Sequence, residues 1–322
     1  MNEFPAFLDS SRPEVPDIVV PRGVTPFFLP GRPVRGRLVR LGALADALLT
    51  RHENEDRVTE LAGRALALTA ALATALKFTG TFSLQTKGDG PVNLLLTDCT
   101  DQGTLRGYAR AEASALAQLP DLEAATDADL LGQGYLAFTV DQGPETERHQ
   151  GIVGIEGPSL TDMALHYFET SEQLRCALHL ACGRTANGWR ASALILERIA
   201  SGGEANLDLS EEEQEEAWNT AVTLASTISE QELLDDTLPA ETVLYRLFHT
   251  EGAAADLPRA LGYGCRCSRA KLNGILERFS PDELDEMATG ADIVMTCEFC
   301  NIDFRFPRAD LRGGAPSSSP DQ

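Results

Sequence analysis

Residues 264–279 read GCRCSRAKLNGILERF, and residues 295–301 read MTCEFCN. Each stretch carries a close pair of cysteines, and the 29 residues 268–296 lie between the pairs. Two close pairs of thiolates can surround one metal ion tetrahedrally, and zinc prefers thiolate ligands. The spacing therefore predicts one zinc ion per chain and four protein ligands, Cys265, Cys267, Cys297 and Cys300.

The sequence around the two pairs has the pattern of a small folded domain. Apolar residues at helical spacing predict a helix that begins near Ser268 and buries one face, formed by Leu272, Ile275, Leu276 and Phe279. Residues 280–283, SPDE, supply an N-cap serine, a proline at the first helical position and a capping-box glutamate for a second helix, which Gly290 can end. Residues 291–300, ADIVMTCEFC, predict a strand that delivers the second pair. In so small a domain, a bound metal would supply much of the folding free energy.

The composition limits the class and compartment of the protein only broadly. A chain of 322 residues, 43% of them hydrophobic, can form two domains with a real core. No apolar stretch approaches the roughly 20 residues that span a bilayer, and the N-terminus lacks the basic start and apolar run of a signal peptide. We therefore expect a cytoplasmic protein with no membrane partner. Thiols are kept reduced in that compartment, so clustered cysteines indicate metal binding or redox chemistry.

The chain has a net charge of −22, and the negative charge is concentrated in residues 201–250. This stretch contains twelve acidic residues and one basic residue, Arg246. Such a charge argues against a nucleic-acid partner. Ser210 and Glu213 form a capping box, and apolar residues follow at helical spacing, at Trp218, Val222 and Ala225. The residues alone favour a solvated helix that packs by one apolar stripe. The other interpretation is a segment of low stability, because dense like charge opposes compaction.

The region before the acidic stretch predicts a mixed α/β domain. Residues 53–78 have the spacing of an amphipathic helix, and a second helix is predicted at 159–174. Turns at Gly88–Pro91 and at Asn187-Gly188 each lie between two strand-like runs. The predicted strands are 80–87, 92–98, 104–111, 134–143, 148–157, 175–183 and 189–196.

The predicted fold class is α+β, with a mixed α/β N-terminal domain, a helical acidic linker and a small C-terminal zinc-binding domain. The predicted segments are an N-terminal extension (1–16), the α/β core domain (17–200), the acidic helical linker (201–250), the zinc-binding redox-switch domain (251–312) and a disordered tail (313–322).

Other candidate sites are weak. Cys176 and Cys182 would share one face of a strand and His179 the opposite face, so two buried thiols are a better interpretation than a second metal site. Cys99 is a similar case. The remaining histidines show no catalytic motif, and Gly88-Asp89-Gly90 lacks the Gly-Lys-Ser/Thr of a phosphate loop. We therefore predict that the protein is not an enzyme.

Several motifs together carry a family resemblance. LYRLFHTEG at 244–252, the Cys-x-Cys followed by SRAKLNGIL, and CEFCNIDFRF at 297–306 resemble the C-terminal redox switch of the heat shock protein 33 family, the redox-regulated bacterial holdase chaperones. Upstream, LQTKGDGPVNLLLTDCTDQGTLRGYAR, GYLAFTVDQG and HYFETSEQL are similar to the N-terminal domain of that family. The resemblance runs from about Asp17 to Phe306.

The resemblance implies an ATP-independent chaperone that binds unfolding client proteins under oxidative stress. In the family, zinc holds the four cysteines in the reduced state. Oxidation releases the zinc and forms two disulfides, which would be Cys265–Cys267 and Cys297–Cys300 here. The small domain then unfolds, the acidic linker is destabilised, and the oxidised protein forms a homodimer. We expect the Cys-x-x-Cys disulfide to form first, because it closes with less strain than Cys-x-Cys.

Two other classes of function fit parts of the pattern. A zinc-stapled adaptor would bind a partner protein constitutively, with activity that is unchanged under reducing conditions. A thiol oxidoreductase would turn over disulfides, and it would more naturally carry a Cys-x-x-Cys at a helix start in a thioredoxin-like fold.

Overall fold

The computed structural model describes residues 16–143, 149–199 and 209–311. The predicted tail, nearly all of the N-terminal extension, the first part of the acidic stretch and one end of the predicted strand 148–157 lie outside the described residues. The chain forms two compact units, one spanning Asp17–Gly264 and one that continues from Cys265.

The larger unit contains eleven of the described strands and eight of the described helices. Its strands are β1 (Val19–Phe28), β2 (Val34–Arg40), β3 (Thr81–Gly88), β4 (Val92–Thr100), β5 (Thr104–Ala111), β6 (Gly134–Asp141), β7 (His149–Gly154), β8 (Cys176–Thr185), β9 (Gly188–Arg198), β10 (Ala254–Ala255) and β11 (Arg259–Tyr263). Its helices are α1 (Ala43–Leu49), α2 (Asp56–Ala73), α3 (Ala113–Leu116), α4 (Asp127–Leu131), α5 (Leu160–Tyr167), α6 (Glu211–Ala225), α7 (Glu230–Leu234) and α8 (Ala240–Phe248).

The strands form one mixed sheet in the order β7-β6-β3-β4-β5-β11-β1-β2-β9-β8, and β10 pairs with β1. Pairing is antiparallel throughout the described strands except between β11 and β5, which run parallel. The predicted hairpins are confirmed, because β3 pairs with β4 and β8 pairs with β9 around the turns that the sequence indicates.

Helix α2 packs across one face of this sheet and is buried on nearly all sides. Its Ala- and Leu-rich sequence favours a helix and leaves room for close contact with the strands. Gly63 marks the closest approach, since a Cβ there would lie 2.2 Å from the Sγ of Cys182 on β8. The predicted helix 53–78 is therefore confirmed with shorter bounds. The second predicted helix is also confirmed as α5, followed by a π-helical turn at Phe168–Glu172.

Strand β9 is apolar on both faces because both are covered. Ala193 and Ile195 point to the side of α2, whereas Leu194 and Leu196 point to the opposite side. Side chains alternate along a strand, so the continuous apolar run of this sequence is what a strand buried on both faces requires.

The acidic helices α6, α7 and α8 cover that opposite side. Ser210 caps α6 by accepting a hydrogen bond from the backbone N–H of Glu213, as the capping box predicts. Trp218, Ala221 and Ala225 are buried in one cluster with residues of β1, β2, β8 and β9, and Val222 is half-buried beside them. The interpretation of a solvated helix packed by one apolar stripe describes this arrangement.

The structure places the start of the small unit later than the sequence does. Residues 251–264 were predicted to belong to the zinc-binding domain, yet β10 and β11 are strands of the large sheet. Tyr263 is paired with Leu105 of β5, and Leu261 is fully buried in the core of the large unit. Burial of this apolar residue between β1 and β5 explains why the segment joins the larger unit.

The small unit contains two helices and a hairpin: α9 (Arg269–Leu276), α10 (Pro281–Met287), β12 (Asp292–Thr296) and β13 (Asp303–Pro307). Ser268 caps α9, and Ser280 with Glu283 forms the predicted capping box of α10. The predicted apolar face of the first helix is only partly correct, because Leu276 is fully buried whereas Ile275 is 38% exposed. A helix of eight residues buries little more than one side chain in so small a core.

Candidate metal centre

The four predicted ligands sit at the ends of secondary-structure elements. Cys265 follows the last residues of β11 after Gly264, and Cys267 immediately precedes the N-cap serine of α9. Cys297 follows β12, and Cys300 lies in the loop that joins β12 to β13. Three of these cysteines are buried and Cys297 is half-buried. The helix start and the hairpin therefore each present one cysteine pair.

The backbone of the β12–β13 loop fixes the second pair. The N–H of Cys297 donates to the carbonyl of Ile302 at 3.0 Å, and the N–H of Asn301 donates to the carbonyl of Cys297 at 2.8 Å. Asn301 adopts a left-handed conformation with φ of 52°, which asparagine tolerates better than most residues. This tight loop turns both thiols of the pair toward the same point.

The sulfur atoms have the spacing of a tetrahedral metal site. The Sγ–Sγ distances are 3.4 Å for Cys265–Cys267, 3.7 Å for Cys265–Cys297 and 3.5 Å for Cys267–Cys300. All four candidate ligand atoms lie within 4.8 Å of one another, and none of the four cysteines forms a disulfide within the described residues. Zinc–sulfur bonds of about 2.3 Å at tetrahedral angles place neighbouring sulfurs about 3.8 Å apart. The donor set and its spacing therefore fit a metal ion bound by four thiolates.

Hydrogen bonding among the sulfurs divides the four thiols into two classes. The hydrogen bond with Cys267 lowers the pKa of the Cys265 thiol to about 7, and the hydrogen bond with Cys265 lowers the pKa of Cys297. The pKa values of Cys267 and Cys300 are raised, in each case chiefly by hydrogen bonding with Cys265. Protons are thus shared within the cluster, and part of it is thiolate near neutral pH.

Contacts around the cluster connect the helices to the hairpin. The guanidinium of Arg269 stacks over the ring of Phe306 at 4.5 Å, which joins the start of α9 to β13. Arg308 forms an ion pair of 2.6 Å with Asp285 and donates to the carbonyl of Pro281, which joins α10 to the end of the hairpin. No local sequence pattern indicates the stacking of Arg269 on Phe306, because the two residues lie far apart along the chain.

The cysteines of the large unit lie in a different environment. Burial raises the pKa of Cys99 and Cys182 to about 12, and it raises that of the half-buried Cys176 to about 12 as well. Cys176 and Cys182 face the side of α2, and His179 lies on the opposite face of β8. The interpretation of buried apolar thiols is confirmed for Cys99 and Cys182.

No helix in the described ranges is long and apolar enough to cross a membrane.

Comparison with known proteins identifies one family. The sequence model described as Hsp33 protein matches residues 23–307. A relative from Caulobacter vibrioides, named 33 kDa chaperonin, is 37% identical over 284 residues, which cover 86% of this chain and 92% of the relative. A 33 kDa chaperonin from Pseudomonas fluorescens is 33% identical, with 91% and 94% covered.

A solved structure shares the fold. The crystal structure of the 33 kDa chaperonin of Thermotoga maritima superposes with a TM-score of 0.73, and it covers 90% of this chain and 96% of its own. The sequence identity is 22%, so this likeness concerns the fold alone.

Proposed function

Because the chain belongs to the Hsp33 family, we propose that it is a molecular chaperone that binds unfolding proteins without ATP and is activated by oxidation of its four C-terminal cysteines. The observation that carries the proposal is the tetrahedral spacing of Cys265, Cys267, Cys297 and Cys300 in a chain whose relatives are named 33 kDa chaperonin. A protein-binding activity that depends on the redox state follows if these thiols also stabilise the small unit.

The reduced protein holds one zinc ion per chain in this proposal. Cys265, Cys267, Cys297 and Cys300 would hold the zinc as thiolates, and the ion would cross-link the start of α9 to the β12–β13 loop. Three buried cysteines stand beside six apolar side chains in the described core of the small unit, namely Leu276, Leu284, Ile293, Phe304, Phe306 and Leu311. So small an apolar core supports a fold only weakly without its cross-link.

Oxidation then removes the ligands. When Cys297 and Cys300 form a disulfide, their two thiolates lose two electrons to hydrogen peroxide, which takes up two protons from the solvent and becomes two molecules of water. The same balance applies to Cys265 and Cys267. A disulfide sulfur is a poor metal ligand, so either bond removes half of the donor set. We expect the Cys297–Cys300 bond to form first, and mass spectrometry of a partly oxidised sample with only Cys265–Cys267 linked would refute this order.

Unfolding of the small unit would affect the larger unit because the two are covalently connected at Gly264 and Cys265. Cys265 follows β11 with one intervening residue, and β10 and β11 follow the acidic helix α8. We propose that unfolding at Cys265 destabilises this segment and then α6 to α8, which pack on the sheet by one apolar stripe. Their release exposes apolar surface for unfolding clients. The proposed location is the cytoplasm, and the oxidised form is proposed to be a homodimer.

The test is a paired measurement on the full chain. Zinc release and suppression of aggregation of a denatured client are followed before and after peroxide at mildly elevated temperature, and reductant with zinc is added at the end. We expect about one zinc per chain to be released as suppression appears, and both changes to reverse. The matched variants are Cys265→Ser, which should bind zinc weakly and be active without oxidant, and Cys176→Ser, which should behave as the unmodified chain.

A contrary result has a defined meaning. If suppression is absent or indifferent to oxidation while zinc stays bound, the four cysteines only stabilise the fold. The protein is then better described as a constitutive zinc-stapled adaptor that binds a partner protein.

A further inference from the structure

The sheet surface beneath the acidic helices has an apolar centre. Phe27, Leu38, Leu194 and Leu196 are at most 2% exposed and belong to one cluster with Trp218 and other residues of the helices. The ring of Phe27 stacks on Phe248 of α8 with centroids 5.6 Å apart. Release of the helices would therefore uncover an apolar area on β1, β2 and β9.

Arginines surround this apolar centre at the end of the sheet where α6 lies. Arg175, next to β8, and Arg198, at the end of β9, both donate to one carboxylate oxygen of Glu215, at 2.6 and 2.5 Å. The guanidinium of Arg175 also lies 5.8 Å from the centre of the Trp218 ring. Arg175 therefore contacts both the carboxylate and the apolar stripe of the helix, and Arg198 contacts the same carboxylate.

At the opposite end of the surface, arginines of the sheet again bind oxygen atoms of the acidic segment. Arg190 on β9 forms an ion pair with Asp236. Arg40, at the end of β2, donates to the carbonyls of Leu238 and Glu232, and its own Nε has no hydrogen-bond partner within the described parts of the chain. The sheet thus supplies the positive charge and the helices supply the carboxylates and carbonyl oxygens.

Two further pairs complete the border of the surface. Arg22 on β1 is paired with Glu241 at the start of α8, and Arg32, between β1 and β2, is paired with Glu251 at 3.0 Å. Six arginines of the sheet side therefore contact the acidic segment or the residue that follows it. They lose these partners when α6 to α8 leave the sheet.

On the premise of the proposed function, we propose that the uncovered surface selects client segments that resemble the helices it has lost, with an apolar stripe flanked by carboxylates. The charge complementarity and the apolar centre are both fixed by the sheet. A polyanion such as RNA would match the arginines but would leave the apolar centre exposed, so an acidic amphipathic protein segment fits the surface better. We therefore expect the ligand to resemble helices α6 to α8, which cover this surface in the structure.

The experiment uses the full chain, oxidised with peroxide, and two labelled peptides. One peptide has the sequence of residues 209–226, and the other has glutamine in place of its five glutamates. Fluorescence anisotropy gives the Kd of each. We expect the acidic peptide to bind about tenfold more tightly at low salt, because two or three charge-assisted contacts contribute modestly each. At 0.5 M salt the ratio should fall below about twofold.

Matched variants locate the effect. The double variant Arg175→Gln with Arg198→Gln should reduce the preference to less than about threefold, whereas Arg110→Gln, an exposed arginine of β5, should leave it unchanged. Circular dichroism checks that both variants are folded, and the salt series on the unmodified chain does not depend on either.

The outcomes separate the two proposals. Equal binding of both peptides by an oxidised chain that still suppresses client aggregation overturns the inference and leaves the proposed function intact. Absence of both peptide binding and aggregation suppression overturns the proposed function. Displacement of the acidic peptide by a poly(U) oligonucleotide of equal charge, at equal concentration, indicates a polyanion site and also overturns the inference.

Discussion

The two units of this chain use cysteine in opposite ways. In the large unit, Cys99 and Cys182 are packed among apolar side chains, and burial raises the pKa of each to about 12. In the small unit, Cys265 hydrogen bonds to neighbouring sulfurs and its pKa falls to about 7. The difference teaches that burial alone does not make a thiol inert. The partners that a buried sulfur meets decide whether it fills space or binds and reacts.

The contrast extends to stability. The large unit has an extensive core on both faces of its sheet, whereas the described core of the small unit depends on its sulfurs. Metal removal should therefore unfold the small unit and leave the large unit folded, and this is the largest expected effect. Structural zinc contributes about 10–16 kcal/mol in small zinc domains. After chelation we expect the amides of β12 and β13 to exchange rapidly while those of α2 and β9 stay protected, as measured by hydrogen exchange.

The control for metal removal is the same chelator with zinc restored in excess. If the amides of β12 and β13 stay protected from hydrogen exchange after complete zinc removal, the small unit has a self-sufficient core. The proposed difference in stability between the two units would then be wrong.

Alkylation tests the chemical half of the comparison. In metal-free protein the small unit is expected to unfold, so Cys265 becomes an ordinary exposed thiol, which at pH 7.5 and a pKa of about 8.5 is about one tenth thiolate. A thiol of pKa about 12, such as Cys99, is ionised to only about one part in 30,000. We expect iodoacetamide to modify Cys265 at least about a hundredfold faster than Cys99, because the larger thiolate fraction outweighs the lower nucleophilicity of the less basic thiolate. Peptide mapping at timed intervals gives both rates. Similar rates would mean that accessibility governs reactivity here. Because an exposed thiol has a pKa of about 8.5, the Cys265 rate should fall about tenfold for each pH unit below that value.

The apolar stripe of the acidic helices can be tested without touching a cysteine. Trp218 is 4% exposed, and a buried Trp→Ala substitution typically costs about 3–5 kcal/mol. In Trp218→Ala we expect α6 to detach more readily, and some suppression of client aggregation to appear in reduced, zinc-loaded protein. Tyr245→Ala is the control, since Tyr245 on α8 is 69% exposed. If Trp218→Ala unfolds at lower temperature yet remains inactive when reduced, release of α6 is not enough to create the client surface.

The smallest expected effect concerns Arg269. A cation–π contact contributes about 0.5–2 kcal/mol, so Arg269→Gln should weaken zinc binding by about twofold to thirtyfold. Competition with a chromogenic chelator measures the change. Arg269→Lys should retain part of the affinity because it keeps the cation, and Arg278→Gln, an exposed arginine beyond α9, should match the unmodified chain. Equal affinities for all four proteins would remove the stacking on Phe306 from the list of contacts that hold the site.

The sequence predicts the local structure well because local signals decide it. The capping boxes at Ser210 and Ser280, the turn at Asn187-Gly188 and the spacing of the cysteine pairs all depend on residues close together in the chain. The four sulfurs meet as the spacing predicts. Each pair is presented by a cap or a tight loop that the sequence also indicates.

Contacts between residues far apart in the chain could not be predicted from the sequence. Nothing in residues 259–263 indicates that this short strand lies between β1 and β5, more than 150 residues away from the latter along the chain. The boundary predicted at 251 was therefore too early. The sequence likewise does not show that the arginines paired with the acidic helices share one surface. The order of strands in the sheet alone brings together Arg22, Arg40, Arg175 and Arg198.

The insertion of β11 also governs when the protein can fold. The strand lies near the middle of the large sheet, between β5 and β1, so the hydrogen bonding between the two halves of the sheet is completed only after Tyr263 is available. A nascent chain that has emerged to the end of β9 holds both halves but lacks the strand between them, and it exposes two unpaired strand edges. The larger unit therefore completes its fold late in synthesis, just before the four clustered cysteines emerge. A truncation intended to isolate it should end after Gly264 rather than within the acidic helices.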